Sequence, residues 1–298
     1  MRRENIMRPE ISGRENISTD DGPLWDPEEL RLLADQWVRR RTPLFVPEFP
    51  VILLYSQKSG CTSAVKWFFW QTGLLDDARA FSGWVHDYEN AIFKRQDGYK
   101  KQLVRHLCLG KKTLIKFTRD PFQRAVSSFL MLSGKPFRNP GYFGHAEWKI
   151  LRSHVYGSPD DPRGICFADF LGYLRDRRPV LGRVNAHFAQ QFQIEEAMFS
   201  IDYYRLENMS TAFRSIEAAL QIPHAPDDVY HSRHHQRYDD SLHEDVSLLK
   251  VNEHTFAARR PPHFRCFYSP ETAELVREVF WEDFNRYDYP LALPPLAA

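Results

Sequence analysis

Twice along the chain, an apolar run rich in strand-forming residues passes through a short polar turn into a helix, and the other elements are spaced around these two units. Val51 to Tyr55, VILLY, is an unbroken apolar run of the length expected for a strand buried on both faces of a parallel sheet. The polar turn Ser56-Gln57-Lys58-Ser59-Gly60-Cys61-Thr62-Ser63 follows, and Ala64 to Gln71 predicts an aromatic-rich helix closed by Gly73. Lys112 to Leu132 repeats the arrangement. Here Thr113 to Thr118 predicts the strand, Asp120 the N-cap, Pro121 the first helical residue and Gly134 the stop.

Between and beyond these units the pattern is uneven. Leu30, Leu33, Trp37 and Val38 give Pro27 to Arg40 the apolar stripe of an amphipathic helix, entered through Asp26 and Pro27. Thr42 to Pro50 is a connector into the first strand. Leu74 to Gly110 is polar, with a helix predicted from about Gly98 to Leu107. Ser133 to Cys166, rich in Gly, Pro and aromatics without periodicity, predicts a loop or lid over the site, or a surface excursion. Phe167 to Asp176 reads as a helix, Phe199 to Arg205 as a third buried strand, Ser210 to Leu220 as a helix and Pro270 to Arg286 as a last helix. His224 to His263 is irregular and rich in His and Arg. Strands alternating with helices predict an α/β fold in which a central parallel sheet is flanked by helices. The expected division is a flexible arm over 1–24, a helix and connector over 25–49, one domain over 50–290 and a tail over 291–298.

Composition narrows the function classes. With 298 residues, 43% hydrophobic and 14% aromatic, the chain has ample material for a packed core. Forty basic residues against 39 acidic ones leave no broad field to attract nucleic acid or an anionic membrane, so an anion site must be local. Cys61, Cys108, Cys166 and Cys266 are scattered and form no CxxC pair, which points to free thiols in a reducing compartment. The N-terminal residues are charged, with no signal-peptide core, and no later run reaches membrane-spanning length. The expectation is a soluble, cytoplasmic protein.

A strand feeding a helix presents free N–H groups and the positive end of the helix dipole to one point, which suits a phosphate. KSGCTS differs from the GxxxxGK[ST] nucleotide loop, since its Lys precedes a single Gly. A capped helix start with a solvent-facing Lys fits the same residues. In the second unit, Arg119 at the strand's end and Ser127 two helical turns on can meet a second phosphate.

These two segments resemble the two halves of the cofactor site of sulfotransferases that use 3′-phosphoadenosine 5′-phosphosulfate (PAPS). QKSGCTS is similar to the loop for the 5′-phosphosulfate, and RDPFQRAVSSF to the 3′-phosphate motif in the RDPFERLVSAY form of carbohydrate sulfotransferases. Asn185 to Gln191 resembles that group's H-W-x-P-Q segment, Asp202 to Asn208 its D-Y-x-x-x-E-N, and Ser269 to Tyr289 its closing helix. The resemblance spans about Val51 to Tyr289. It implies a P-loop-kinase-like layout, PAPS as donor, no metal, and a hydroxyl acceptor on a carbohydrate or glycolipid. Animal carbohydrate sulfotransferases carry a membrane segment, which this sequence lacks.

The resemblance places Lys58 on the leaving group. It places the N–H groups of Ser59, Gly60, Cys61, Thr62 and Ser63, with the Thr62 and Ser63 hydroxyls, on the 5′-phosphate, and Arg119 and Ser127 on the 3′-phosphate. Arg124 fits either a phosphate contact or a surface cation. The base that takes the acceptor's proton is expected to be His86, with His187 second and His106 and His145 behind them. His231, His234 and His235 have metal-like spacing without an evident fourth ligand. Tyr204 and Arg205 fit either an adenine contact or a core Tyr beside a surface Arg. Two other classes stay open: a kinase of the same layout, against which the Lys position and the RDPF motif count, and a PAPS-binding scaffold without catalysis.

Overall fold

The computed structural model describes residues 26–134, 143–230, 238, 239, 241 and 244–294. The expected arm, half of the tail, and His231, His234 and His235 lie outside the described residues. Strands β1 (Val51–Tyr55), β2 (Thr113–Thr118) and β3 (Ile201–Arg205) form one parallel sheet in the order β1-β2-β3. The register sets Tyr55 opposite Phe117 and Thr118 opposite Arg205, so all three strands end along one edge. At that edge each strand hands over to a helix: α2 (Cys61–Gln71) after β1, α6 (Pro121–Leu130) after β2 and α9 (Met209–Leu220) after β3. In open α/β sheets this is where ligands bind.

Alternation along β2 separates two environments. Ile115 and Phe117 enter an apolar cluster with β1, α2, α9, α1 (Pro27–Arg40), α4 (Val85–Ala91) and α5 (Tyr99–Leu109). Lys116 and Thr118 take the other side, where Lys116 Nζ donates to Tyr287 Oη at 2.8 Å and the Thr118 and Tyr289 hydroxyls lie 3.2 Å apart. Behind them a second cluster joins α6, α7 (Phe143–Tyr156), α8 (Phe167–Arg177) and α11 (Pro270–Val279) with Phe188, Phe192 and Phe284.

The structure corrects several expectations. The polar stretch after α2 holds two further helices, α3 (Leu75–Phe81) and α4, each burying a few apolar residues on a short amphipathic face that composition alone conceals. The stretch predicted as a loop or lid contains the 14-residue α7, whose Trp148 and Leu151 are fully buried. The third strand is shorter than predicted and not buried: it is one of the sheet's two outer strands, and unlike β1 it is left partly uncovered, with Tyr203 38% exposed. A four-residue turn of helix, α10 (Asp227–Tyr230), opens the stretch read as irregular. The closing helix breaks at Phe280 into α11 and α12 (Trp281–Arg286).

Candidate active site

The turn after β1 is built around two residues in left-handed backbone. Gly60 has φ +78° and is the N-cap of α2, and a Cβ there would come within 2.5 Å of Leu206 Cδ1 and 2.8 Å of Met209 Cε. Conformation and packing both require glycine. Lys58, at φ +68°, holds a left-handed conformation that non-glycine residues seldom adopt and that is often retained at functional positions. Helix α2 begins at Cys61, three residues before the predicted start, so Cys61, Thr62 and Ser63 form its first turn. Among the described residues no side chain caps that turn, which carries the unpaired N–H groups and positive end of a helix start. The Ser59 N–H is not among them, because it donates to Ser56 O at 3.2 Å.

The second unit meets the first directly. Arg119, the residue after β2, donates from Nη1 to Lys58 O at 3.2 Å. Asp120 caps α6 by accepting from Gln123 N at 2.9 Å. Arg124 is no surface cation: it is buried, donates from Nε to Gln57 O at 3.1 Å and from Nη2 to Ala189 O at 2.6 Å, and so braces the turn from behind. Ser127 lies one turn further on the same face of α6, buried, its hydroxyl uncommitted among the described residues. Lys58 is pulled down from 10.5 to about 8, first by burial and then by the charge of Arg119. An anion placed between these cations would restore that proton.

His86, on α4, is brought to the same turn. Its Nε2 lies 3.2 Å from Thr62 Oγ1, and its Nδ1 lies 2.5 Å from Glu89 Oε2, one helical turn along. Glu89 is fully buried, pairs with Lys94 Nζ at 2.5 Å and accepts from the Tyr55 hydroxyl. Burial alone would make His86 release its proton more readily. The hydrogen bonds to Cys61 and Glu89, and their negative charge, outweigh burial and raise it from 6.5 to about 10. Cys61 mirrors this: burial opposes the thiolate, but His86 lowers the thiol below its ordinary value.

His187 sits close enough to feel the Lys58 charge. Burial first, and then Lys58 and Arg124, lower it to about 3, so it is neutral throughout the physiological range. Its Nδ1 lies 2.9 Å from Asn185 Oδ1 and its carbonyl accepts from Ser128 Oγ at 2.8 Å. His106 packs on Phe45 at 4.8 Å beside Lys112, at the opposite end of the strands. His145 lies on α7. Tyr204 packs on Phe117 at 5.9 Å, and Arg205 extends outward to Asp288 O at 2.5 Å.

Sequence reasoning missed two residues here. Glu89 was detectable, because it lies three positions after His86 on a helix. Gln191 was marked only as the last residue of the segment resembling H-W-x-P-Q, and nothing local disclosed what its side chain holds. Among the described residues no group of three or more His, Cys, Asp or Glu could hold a metal ion, and no helix is long and apolar enough to cross a membrane.

A parallel sheet, a helix start without a side-chain cap and cations at the strand ends define a site suited to an anionic ligand. The family model of the sulfotransferase family matches residues 43–290, and the chain belongs to that family of enzymes. Searches of curated proteins and of solved structures return no match.

Proposed function

We propose that the chain transfers the sulfuryl group of PAPS to a hydroxyl of a carbohydrate or glycolipid acceptor. The observation that carries the reading is the junction of the two turns, where Arg119 reaches Lys58 O at 3.2 Å beside the uncapped start of α2. That junction offers anion-binding groups on both sides of one point, as a nucleotide with 3′ and 5′ charges requires. The fit is supported by Gly60, whose left-handed backbone turns the chain into α2 and whose missing side chain lets Leu206 and Met209 pack against the turn and hold it in place.

Bound there, the donor supplies an activated sulfuryl group and a phosphate leaving group. Lys58 neutralises charge on the leaving oxygen, and the N–H groups of Cys61, Thr62 and Ser63 bind the 5′-phosphate. Arg119 and Ser127 bind the 3′-phosphate. His86, in the fraction that has released its own proton, accepts the acceptor's proton at Nε2, with Glu89 holding Nδ1 so that Nε2 faces the turn. Because that proton is held to about pH 10, the fraction is small at neutral pH and grows as pH rises. His187, neutral and of low basicity, is the lesser candidate for that task. The carbohydrate or glycolipid class follows from the form of the RDPF motif alone. Four free cysteines are in keeping with a cytoplasmic setting.

Thermal shift with adenosine 3′,5′-bisphosphate against ATP tests the donor, and transfer of labelled sulfate to an acceptor panel tests the reaction. Stabilisation by the bisphosphate and label on a hydroxyl acceptor are expected. Preference for ATP would point to a kinase, and bisphosphate binding without transfer to a scaffold.

A further inference from the structure

We propose that Gln191 is the positioning residue that fixes the spacing between the two anion-binding turns, so that the site favours a ligand with two phosphates over one carrying either alone. The inference rests on the donor reading above and adds to it the residue through which the two halves act together.

Gln191 is fully buried and lies in neither turn, yet its side-chain amide touches both. Its Oε1 accepts from Ser59 Oγ at 2.5 Å, in the turn after β1, and from Arg119 N at 2.8 Å, in the turn after β2. Its Nε2 donates to Arg119 O at 2.9 Å. One planar amide therefore ties the residue beside Lys58 to the backbone of Arg119. The main chain of Gln191 is itself immobilised. Its N–H donates to Asp283 Oδ2 at 2.9 Å, and its carbonyl accepts from Lys116 Nζ at 2.6 Å and Ser56 Oγ at 3.2 Å. A saturated, buried amide anchored on a third element holds a distance more firmly than two loops touching each other.

The physical consequence is a chelate effect. A ligand that engages both turns gains from the second contact only as far as the two sites are held at the right separation. A ligand that engages one turn gains nothing from the spacing. Loss of the bridge should therefore penalise the doubly charged ligand selectively. A purely structural role would instead weaken all ligands together, through the fraction of folded protein.

The test is calorimetric titration of the full chain, wild type, Gln191→Ala and Ser59→Ala, with adenosine 3′,5′-bisphosphate, adenosine 5′-monophosphate and adenosine 3′-monophosphate. Ser59→Ala removes one limb of the bridge and leaves the amide in place, so the test survives if Gln191→Ala does not fold. In the variants the bisphosphate should weaken by about tenfold, within the usual range of coupling between sites, while each monophosphate changes by less than about twofold. An unchanged ratio of bisphosphate to monophosphate affinity in the folded variants overturns the role of Gln191. Failure of the wild type to bind the bisphosphate overturns the donor reading, and this inference with it.

Discussion

Replacing Glu89 by Gln should both destabilise the fold and move the titration of His86. Glu89 has no exposed surface and serves His86 Nδ1, Lys94 Nζ and the Tyr55 hydroxyl together. Burial opposes its charge, but Lys94 and His86 outweigh burial and bring it from 4.5 to about 2. At about 1.4 kcal/mol per unit this corresponds to roughly 3 kcal/mol of stability at neutral pH, close to the 3–5 kcal/mol typical of removing one partner from a buried pair. Glu89 ionises more readily in the fold than in the unfolded chain. Its contribution is therefore complete above about pH 4.5 and is lost as pH falls through about 2. His86 behaves oppositely: the fold holds its proton more tightly, so its contribution is complete below about pH 6.5 and is lost as pH rises through about 10. In Glu89→Gln, Lys94 loses its counter-charge and His86 loses one of the two partners that raise it. Urea unfolding at pH 7 should give a variant weaker by about 3 kcal/mol. NMR titration of the imidazole should show its pKa falling from about 10 toward the ordinary 6.5. With His86 as the base, turnover at saturating donor should rise with pH in the wild type, and that rise should move to lower pH in the variant. A stability within about 1 kcal/mol of wild type together with an unmoved imidazole titration would refute the reasoning.

Lys58→Ala should lower turnover by about a hundredfold or more while leaving the unfolding midpoint little changed, as for loss of a group that meets charge in the transition state; near-normal turnover would remove Lys58 from that role. In the wild type, affinity for adenosine 3′,5′-bisphosphate should fall as pH rises through about 8, because the free protein then loses the Lys58 proton, and an unchanged calorimetric affinity from pH 7 to 9 would contradict this. Gly60→Ala places a methyl within 2.5 Å of Leu206 Cδ1 in left-handed backbone; it should destabilise by at least about 1 kcal/mol and weaken bisphosphate binding, read by thermal shift with and without ligand.

The two strand-turn-helix units were legible because an apolar run, a Gly and an N-cap with Pro are local signals, and each fixes its own segment of backbone. The bounds of β1 and β2 follow the apolar runs residue for residue. What the sequence did not disclose depends on distant partners. Lys116 interrupts an apolar strand with nothing nearby to explain it. The explanation is Glu196 at 2.5 Å and Tyr287 at 2.8 Å, from segments far along the chain. Arg124 looked like an exposed helix cation for the same reason, since the carbonyls it serves belong to Gln57 and Ala189. The helix α7 was hidden because its apolar residues pack on other helices and leave little periodicity of their own, and the outer position of β3 because strand order is set by pairing between distant segments. At the site, sequence order suggested His86, but its orientation follows from Glu89, and the union of the two turns from Gln191.

The anchoring of Gln191 by Asp283 also bears on when this enzyme becomes competent as it is made. Both carboxylate oxygens of Asp283 are used, on the N–H groups of Gln191 and Phe192, at 2.9 and 2.8 Å. A chain ending at α11 would contain every group proposed above to meet the nucleotide, yet lack the residue that seats the amide between them. On that reading the spacing of the two turns is completed only when α12 packs, and synthesis of the chain up to α11 should leave the proposed site unassembled.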